Sequence, residues 1–309
     1  GRLIRIGEGL AEANGGYVGV AVCPASWLAG AAAREEEQPG IVDRMARAHP
    51  MRAVDIARSH LYVPGMRRAL KPFWCRVRSP ADANRCKNLL VDSAQKGTLD
   101  VIAWYVHRPV ENWIVRHIAD LPVTPNQISA LTSLTGFAVA GLFLSSRFLP
   151  GTLLALAVNV MDGLDGKLAR VKGLTSSLGE LEHSFDCLYE QAWYAGFAWG
   201  LYRLTDNLLP LALATAMLLC DSFARHVSMQ FKQVTGVSLA DYAPFDRAFR
   251  RFDGRRNTYS LHMLLAILIG RPALAAWSMG IHALLTASVY AWRAATHLHR
   301  IDLGHCQER

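Results

Sequence analysis

Four carboxylates in the middle of the chain are spaced as two helical pairs. Asp162 and Asp165 are three residues apart, and Glu182 and Asp186 are four apart, so each pair shares one face of a helix. The first pair ends one apolar stretch and the second begins the next, so two antiparallel helices with a short joint would bring all four together. Four carboxylates at close range repel one another and are costly to desolvate, so the arrangement predicts a compensating cation.

One or two divalent cations compensate this charge best. Carboxylate oxygens suit Mg²⁺ or Mn²⁺, whereas softer metals prefer imidazole and thiolate ligands. Lys167, Arg170 and Lys172 lie close in sequence, but helical geometry turns Lys167 away from the acid face. Salt bridges to basic residues are the alternative for each acid considered singly.

Residues with small side chains accompany the acids. Gly166 and Ala169 share the face of the first pair, and Gly179 lies about one turn before the second pair. Because no bulky side chain stands there, a ligand or another helix can approach the backbone closely. This combination distinguishes the stretch from ordinary acids at a membrane interface.

The stretch from residue 162 to residue 179 resembles the signature of the CDP-alcohol phosphotransferase family. The matching positions are two acids, two glycines, an alanine and an arginine, namely Asp162, Asp165, Gly166, Ala169, Arg170 and Gly179. The resemblance covers roughly residues 120–295. It implies an integral membrane enzyme with six transmembrane helices, which forms a homodimer and displaces CMP from a CDP-linked donor by an acceptor hydroxyl.

The sequence departs from the family's pattern after Gly179, where the pattern continues with two more acids. His183 and Cys187 occupy those positions here, and Glu182 and Asp186, one residue earlier, keep the correct mutual spacing. We expect that a one-residue deletion in the joint shifts the helix, so that Glu182 and Asp186 take the two acid roles. The alternative is a changed or inactive site that uses His183 and Cys187. In the favoured register, His183 forms a structural hydrogen bond beside the site or contacts substrate.

The resemblance also implies a role for each acid. Asp162, Asp165 and Glu182 would hold two Mg²⁺ or Mn²⁺ ions that bridge the pyrophosphate of the donor. Asp186 would be the catalytic base that takes the proton from the acceptor hydroxyl, and it counts as a further metal ligand. Two metal ions are the usual clamp for phosphoryl displacement.

The small residues and the arginine of the motif would border the substrate. Gly163 and Gly166 would leave room for the cytidine and the pyrophosphate, with Ala169 and Gly179 beside them. Arg170 would either contact a phosphate or pair with one of the acids.

A cluster of arginines in residues 245–260 offers a second charged feature. It would bind the phosphate of an anionic acceptor or a lipid headgroup, with Arg255 and Arg256 as the best candidates and Arg225 as a weaker one. The alternative is a cytoplasmic loop whose positive charge only orients the chain in the membrane.

Long apolar runs dominate the second half of the 309-residue chain. Six candidate spans lie at roughly 127–146, 148–170, 183–203, 207–229, 257–270 and 272–294, and several are marginal against the ~20 residues that a span needs. Basic residues are concentrated on one side of these spans, which predicts a multi-pass protein of the cell inner membrane with both termini in the cytoplasm. A soluble all-helical protein is the alternative.

The first part of the chain differs in character. Residues 1–95 mix charged and apolar residues as a soluble domain does, with strand-like segments at 16–23 and 73–79. These segments resemble the later part of sugar-nucleotide cytidylyltransferases, whose glycine-rich nucleotide loop does not occur in this sequence. We therefore expect a truncated, inactive cytoplasmic α/β domain used for docking or dimerisation. Residues 96–124 predict amphipathic juxtamembrane helices, and residues 125–309 the membrane domain.

The expected fold is thus mainly α, a bundle of six transmembrane helices preceded by a small α/β domain. A hydrophobic fraction of 51% and a net charge of +8 exclude a disordered or collagen-like chain. The six cysteines are scattered without a Cys-x-x-Cys pair, which argues against a zinc knuckle or a disulfide scaffold and predicts free thiols.

The sequence therefore predicts a metal-dependent phosphotransferase that forms a phosphodiester in phospholipid-type biosynthesis. Its partners would be CDP-diacylglycerol or another CDP-linked donor, an alcohol or alcohol-phosphate acceptor and membrane lipids, without nucleic acid. The alternatives are a membrane scaffold with a decayed site, one part of a bifunctional cytidylyltransferase and inositol-phosphate phosphotransferase, and an ion transporter. Transport is disfavoured because a cation pathway does not require the small residues beside the acids.

Overall fold

The computed structural model describes residues 2–3, 23–24, 26–27, 38–53, 61–63, 66–70, 73–75, 77–97, 100–174 and 176–307. The chain divides into two compact units, Gly1–Leu61 with Ala69–Asp82, and Tyr62–Arg68 with Ala83–Arg309. Helix is the dominant structure, and short strands lie near the N-terminus. The prediction of a mainly α fold with a small N-terminal sheet is confirmed at this level.

The first unit contains little regular structure in its described residues. Strand β1 (Arg2–Leu3) pairs antiparallel with β2 (Met51–Arg52), and helix α1 (Gln38–Ala48) lies between them in the sequence. Strands β3 (Leu61–Val63) and β4 (Arg68–Leu70), at the boundary between the units, form a second two-stranded sheet.

Of the two strands predicted in this region, one is wrong and the other lies almost entirely outside the described residues. The described residues of 73–79 form no strand, because Phe73, Trp74 and Val77 are 41%, 46% and 58% exposed and find no buried face to pack on. The strand predicted at 16–23 falls outside the described residues except for Cys23.

Cys75 and Cys86 are each disulfide-bonded, so free thiols were the wrong expectation for these two residues. The spacing of cysteines in a sequence does not reveal which of them form disulfides.

Amphipathic helices precede the apolar part of the second unit. After α2 (Pro80–Ser93), a π-helix at Ala103–His107 runs directly into α3 (Arg108–Ile118). Pro109 has no N–H, and just before it the Arg108 N–H donates to the carbonyl of residue 103, which makes a wider turn. Helix α3 buries Glu111 on one face and leaves Trp113 62% exposed on the other, as an amphipathic helix does.

The apolar half of the chain folds into helices at the six predicted positions. Their bounds are α4 (Pro125–Leu144), α5 (Phe148–Lys172), α6 (Glu182–Thr205), α7 (Leu209–Thr235), α10 (Arg256–Leu268) and α11 (Ala273–Gln307). A 3₁₀ helix at Ser177–Leu181 leads into α6, and the short helices α8 (Leu239–Tyr242) and α9 (Pro244–Phe249) connect α7 to α10. Helix α4 packs on α5 and α6, while α7 packs on α11.

Three of these helices are long and apolar enough to cross a membrane, within the part of the chain that the structure describes. They are Pro125–Leu144, Phe148–Lys172 and the Ala273–Gly304 portion of α11. Helix α10 has only 13 residues and is too short by itself.

The first apolar helix begins at a capping box. The Thr124 side chain accepts a hydrogen bond from the Gln127 N–H at 3.3 Å, and the Gln127 side chain accepts one from the Thr124 N–H at 2.9 Å. Pro125 follows as the first helical residue. This capping box satisfies two amide groups that would otherwise lack partners, and so it fixes where α4 starts.

Glycines allow α4 and α6 to approach closely. A Cβ at Gly136 would lie 2.6 Å from the Tyr189 ring, and a Cβ at Gly200 would overlap the carbonyl oxygen of Phe143. By contrast, the structure places no atom within 4 Å of a Cβ at Gly141. The α4–α6 contact therefore depends on Gly136 and Gly200, because neither an aromatic core residue nor a backbone carbonyl can move aside at low cost.

We expect Gly200→Ala to lower the thermal midpoint of the detergent-solubilised protein, because the added methyl group meets backbone. The cost should be about 1–3 kcal/mol. Gly141→Ala is the matched control and should be neutral or slightly stabilising, since alanine is the better helix former. Equal thermal midpoints for the two variants would contradict this packing.

Candidate active site

The joint between α5 and α6 brings together the four acids that the sequence singled out. The carboxyl group of Asp162 lies within hydrogen-bonding reach of Asp186, and that of Asp165 within reach of Glu182. Each contact links one acid of α5 with one acid of α6. The two helix faces therefore oppose each other, and their carboxylates form a single cluster.

Local backbone structure sets the orientation of α6. Gly173 ends α5 in the left-handed conformation, with φ 65°, where glycine carries no steric penalty. The 3₁₀ helix Ser177–Leu181 follows, and its cap Ser176 accepts a hydrogen bond from the Gly179 N–H at 3.1 Å. Glu182 then becomes the first residue of α6. The tighter 3₁₀ turn thus directs residues 182 and 186 toward α5.

His183 and Cys187 have different surroundings from the two acids. The His183 side chain is 79% exposed, and its Nδ1 lies 4.0 Å from Oδ2 of Asp186. Ligand atoms of Glu182, His183 and Asp186 lie within 4.8 Å of one another. Cys187 is only partly exposed and lies on the side of Arg225. His183 therefore borders the acid cluster.

Two of the acids have cationic neighbours at longer range. Asp165 is 2% exposed and accepts hydrogen bonds from the Ser129 hydroxyl and the Gly166 N–H, both at 2.5 Å. Arg170 and Lys96 lie within electrostatic range of Asp165 and Glu182, but among the residues that the structure describes no lysine or arginine forms a salt bridge with either acid. Clustered oxygen ligands at low exposure suit a hard divalent cation, so the residues present fit Mg²⁺ or Mn²⁺.

Arg256 links the basic segment before α10 to the acid cluster. Its guanidinium pairs with Asp162 and donates a hydrogen bond to the Tyr189 hydroxyl. Its side chain is only 12% exposed, so the contact is shielded from bulk water. Arg256 forms a salt bridge with Asp162, and Asp186 lies beside His183, whereas Asp165 and Glu182 form no salt bridge among the described residues.

The other motif residues lie around the cluster in different ways. Arg170 donates from Nε to the carbonyl of Ala94 at 2.7 Å, and its guanidinium lies beside Gly166, where a Cβ would be 3.2 Å from Nη1. A Cβ at Gly163 would overlap the carboxylate of Glu111, so that glycine faces α3. The remaining two positions are Ala169, whose carbonyl accepts hydrogen bonds at the end of α5, and Gly179, which is partly buried in the 3₁₀ helix.

Arg225 and Arg255 line a small cavity together with Asp221, Tyr290 and Gly254. Arg225 pairs with Asp221 and Glu190, each at 2.7 Å. Arg255 pairs with Asp253 at 2.9 Å and lies 3.3 Å from the Tyr290 hydroxyl.

The carboxyl group of Asp253 is fully buried, at 0% exposure. Burial disfavours its ionised form, but Arg255 and Arg250 outweigh that effect and hold its pKa below the usual range. Arg250 and Arg255, which precede α10, are thus both fixed by this buried acid partner.

Sequence reasoning missed three polar residues of this region. Tyr189 follows Asp186 by three residues, so the helical period that paired the acids could have found it. Ser129 of α4 and Glu111 of α3 belong to other helices and carry no motif. Their contacts with α5 arise only from tertiary packing.

Comparison with known proteins identifies a family whose model matches this chain. The model of the CDP-alcohol phosphatidyltransferase family matches residues 122–289, which is more than half of the chain. Two curated proteins, each described as a bifunctional IPC transferase and DIPP synthase, are similar to part of it. The one from Thermococcus kodakarensis is 38% identical over 109 residues, or 34% of this chain and 24% of that protein. The one from Aquifex aeolicus is 37% identical over 108 residues, or 35% and 25%.

The matched segment spans about a quarter of the length of these curated relatives. Solved structures of Mycobacterium tuberculosis phosphatidylinositol phosphate synthase are also similar. For the structure of that synthase with CDP-DAG bound, the TM-score is 0.49 at 16% identity, over 60% of this chain and 94% of that one. In complex with manganese and citrate, the TM-score is 0.48 at 17% identity, over 60% and 89%.

We expect Glu182→Gln to weaken Mn²⁺ binding at least about tenfold, because it removes a charged oxygen ligand from the cluster. Cys187→Ser is the control from the alternative register and should leave Mn²⁺ affinity within about twofold. Electron paramagnetic resonance of free Mn²⁺, titrated into the purified protein, measures both. Loss of affinity in Cys187→Ser with normal affinity in Glu182→Gln would assign the site to the other register.

Proposed function

The chain belongs to the CDP-alcohol phosphatidyltransferase family, a family of transferases of substituted phosphate groups, and we propose that it is a metal-dependent membrane phosphotransferase. In the proposed reaction, the hydroxyl of an alcohol or alcohol-phosphate acceptor displaces CMP from a CDP-linked donor. The single observation that carries this proposal is the cluster of four carboxylates from α5 and α6, two of which, Asp165 and Glu182, form no salt bridge among the described residues.

Asp162, Asp165 and Glu182 are the proposed ligands of two Mg²⁺ or Mn²⁺ ions. Bound there, the ions would neutralise the donor pyrophosphate and the charge that develops on departing CMP. The Ser129 hydroxyl and the Gly166 N–H hold the Asp165 carboxylate in place through hydrogen bonds. These contacts reduce the freedom of the ligand before anything binds, which favours a fixed coordination geometry.

Asp186 is the proposed general base. Its side chain is 15% exposed, so it is open to a substrate while remaining within reach of Asp162. The acceptor hydroxyl would lose its proton to Asp186 as its oxygen bonds to the phosphorus that carries the donor alcohol. The bond from that phosphorus to the bridging oxygen would break, and CMP would leave.

Arg225, Arg255 and Arg256 are the proposed contacts for substrate phosphates. Arg225 and Arg255 both border the small cavity, and Arg256 connects that side to Asp162. We propose that an acceptor carrying a phosphate binds on the side of this small cavity, because guanidinium groups bind phosphate with directed hydrogen bonds. Arg170, beside Gly166, is the proposed contact for the donor pyrophosphate.

For the membrane, we propose that α4, α5, α6, α7, α10 and α11 all serve as spans of a homodimer in the cell inner membrane. The concentration of arginines and lysines between alternate helices supports two cytoplasmic termini. The acid cluster would then lie near the inner interface, where a soluble acceptor and a lipid-linked donor can both reach it.

The names of the relatives support one choice of acceptor. Both relatives are described as bifunctional IPC transferases and DIPP synthases, so we propose an inositol-phosphate type of acceptor for this chain. Residues 1–95 would correspondingly be the remnant or part of a cytidylyltransferase. CDP-diacylglycerol and soluble CDP-alcohols are both retained as donors.

Purified protein in lipid vesicles should release CMP when given a CDP-linked donor, inositol phosphate and Mg²⁺ or Mn²⁺. Asp186→Asn should lower kcat by ~10²–10⁴-fold, because the proton acceptor is lost. EDTA should abolish the release, and added Mn²⁺ should restore it. Liquid chromatography with mass spectrometry measures both CMP and the lipid product, and glycerol phosphate in place of inositol phosphate tests the acceptor.

Asp206→Asn serves as the control, because this exposed acid caps the far end of α6 in the left-handed conformation, with φ 49°, which asparagine also adopts. Its activity should equal that of the wild type. A wild-type protein that binds Mn²⁺ and releases no CMP with any donor would favour a scaffold with a decayed site.

A further inference from the structure

A buried ion pair joins the juxtamembrane helix α3 to the helix that carries the first two acids. Nζ of Lys167 lies 2.7 Å from Oε2 of Glu111 and 2.7 Å from Oδ1 of Asn112. The three residues are 1%, 6% and 7% exposed. Lys167 thus has its charge and two of its three donors satisfied by α3.

The same glutamate also touches the backbone of α5. A Cβ at Gly163 would overlap its other carboxylate oxygen, so only glycine allows this approach. Gly163 and Lys167 are four residues apart and share one helix face, which lies roughly opposite to the face of Asp162 and Asp165. Glu111 therefore contacts, from behind, the helical turn that presents the metal-binding acids.

Helix α3 also contacts α2 and is linked to α10 through the segment before it. Asn112 donates from Nδ2 to Oδ1 of Asp92 at 2.8 Å. Upstream of α3, Asp100 accepts a hydrogen bond from the Asn257 side chain of α10 at 2.8 Å. The segment from residue 100 to residue 112 therefore contacts both α10 and the back of α5.

The charged pair is a costly way to join two helices unless its geometry matters. Well-packed apolar residues often stabilise such a contact equally well, because burying two charges carries a large desolvation cost. A lysine and a glutamate, by contrast, are both satisfied at only one register of α3 along α5. A buried pair of this kind specifies position rather than adding stability.

We propose that Glu111 and Lys167 are positioning residues for the metal-binding acids, and this inference rests on the proposed function. The pair fixes the turn from residue 162 to residue 167 at one height and rotation, so that Asp162 and Asp165 face Asp186 and Glu182. Glu111 lies outside residues 122–289, which the family model matches, so the active site of this chain extends into its juxtamembrane helix.

The test compares direct Mn²⁺ binding in the full chain, measured by electron paramagnetic resonance, with the thermal midpoint and with CMP release. Glu111→Gln should weaken Mn²⁺ binding by about 10–100-fold, as the loss of groups that orient metal ligands commonly does. Arg116→Gln is the matched control on the same helix, because it removes the more exposed pair with Asp92. Its Mn²⁺ affinity should stay within about twofold of wild type.

The double variant Glu111→Gln with Lys167→Met separates positioning from stability. Removing both charges should return the thermal midpoint toward the wild-type value, while Mn²⁺ binding stays weakened at least about tenfold. Wild-type Mn²⁺ affinity in the double variant would overturn the inference, as would equal effects of Glu111→Gln and Arg116→Gln. If Glu111→Gln does not yield folded protein, the double variant decides. Failure of the proposed function is a separate result, because it would appear as a wild type that binds Mn²⁺ without releasing CMP.

Discussion

Four carboxylates held together in a largely apolar helical bundle form the constraint on which the rest of the structure depends. Like charges at this distance favour separation of α5 and α6, and burial increases their mutual repulsion. The fold opposes this with the packing of α4 against both helices, where Gly136 and Gly200 permit contact with aromatic rings and backbone. Part of the packing free energy of the bundle therefore keeps these carboxylates together against their mutual repulsion.

The surrounding polar contacts hold the acids and α5 from different sides. Ser129 and the Gly166 N–H hold Asp165 through hydrogen bonds, Arg256 neutralises Asp162 from the side of α10, and Glu111 fixes the opposite face of α5. These partners come from α4, α5, α10 and α3. Distant segments of the chain thus meet at one turn of α5, so the geometry of the acids depends on the tertiary structure rather than on the motif alone.

The sequence indicated much of this arrangement through local rules. Helical periodicity predicted that the acid pairs share faces and that Lys167 points away from them. Periodicity could not identify Glu111 as the partner of Lys167, because 56 residues separate them and no pattern links them. The strand expected at 73–79 is absent for a different reason. Alternation of apolar residues predicts a strand only where a buried face exists, and Phe73 and Trp74 are exposed.

The pairing of Lys167 has an electrostatic consequence for the acid cluster. Lys167 lies two residues from Asp165, and a free ammonium group on its flexible stem could turn toward the carboxylates and compete with a divalent cation. Glu111 and Asn112 satisfy that ammonium group on the far side of α5 and so keep it there. Arg170 and Lys96, rather than Lys167, are the cationic neighbours of Asp165 and Glu182 among the described residues. A glutamate on the far side of α5 thus keeps one nearby cation away from the acids, because it satisfies the ammonium group of that lysine.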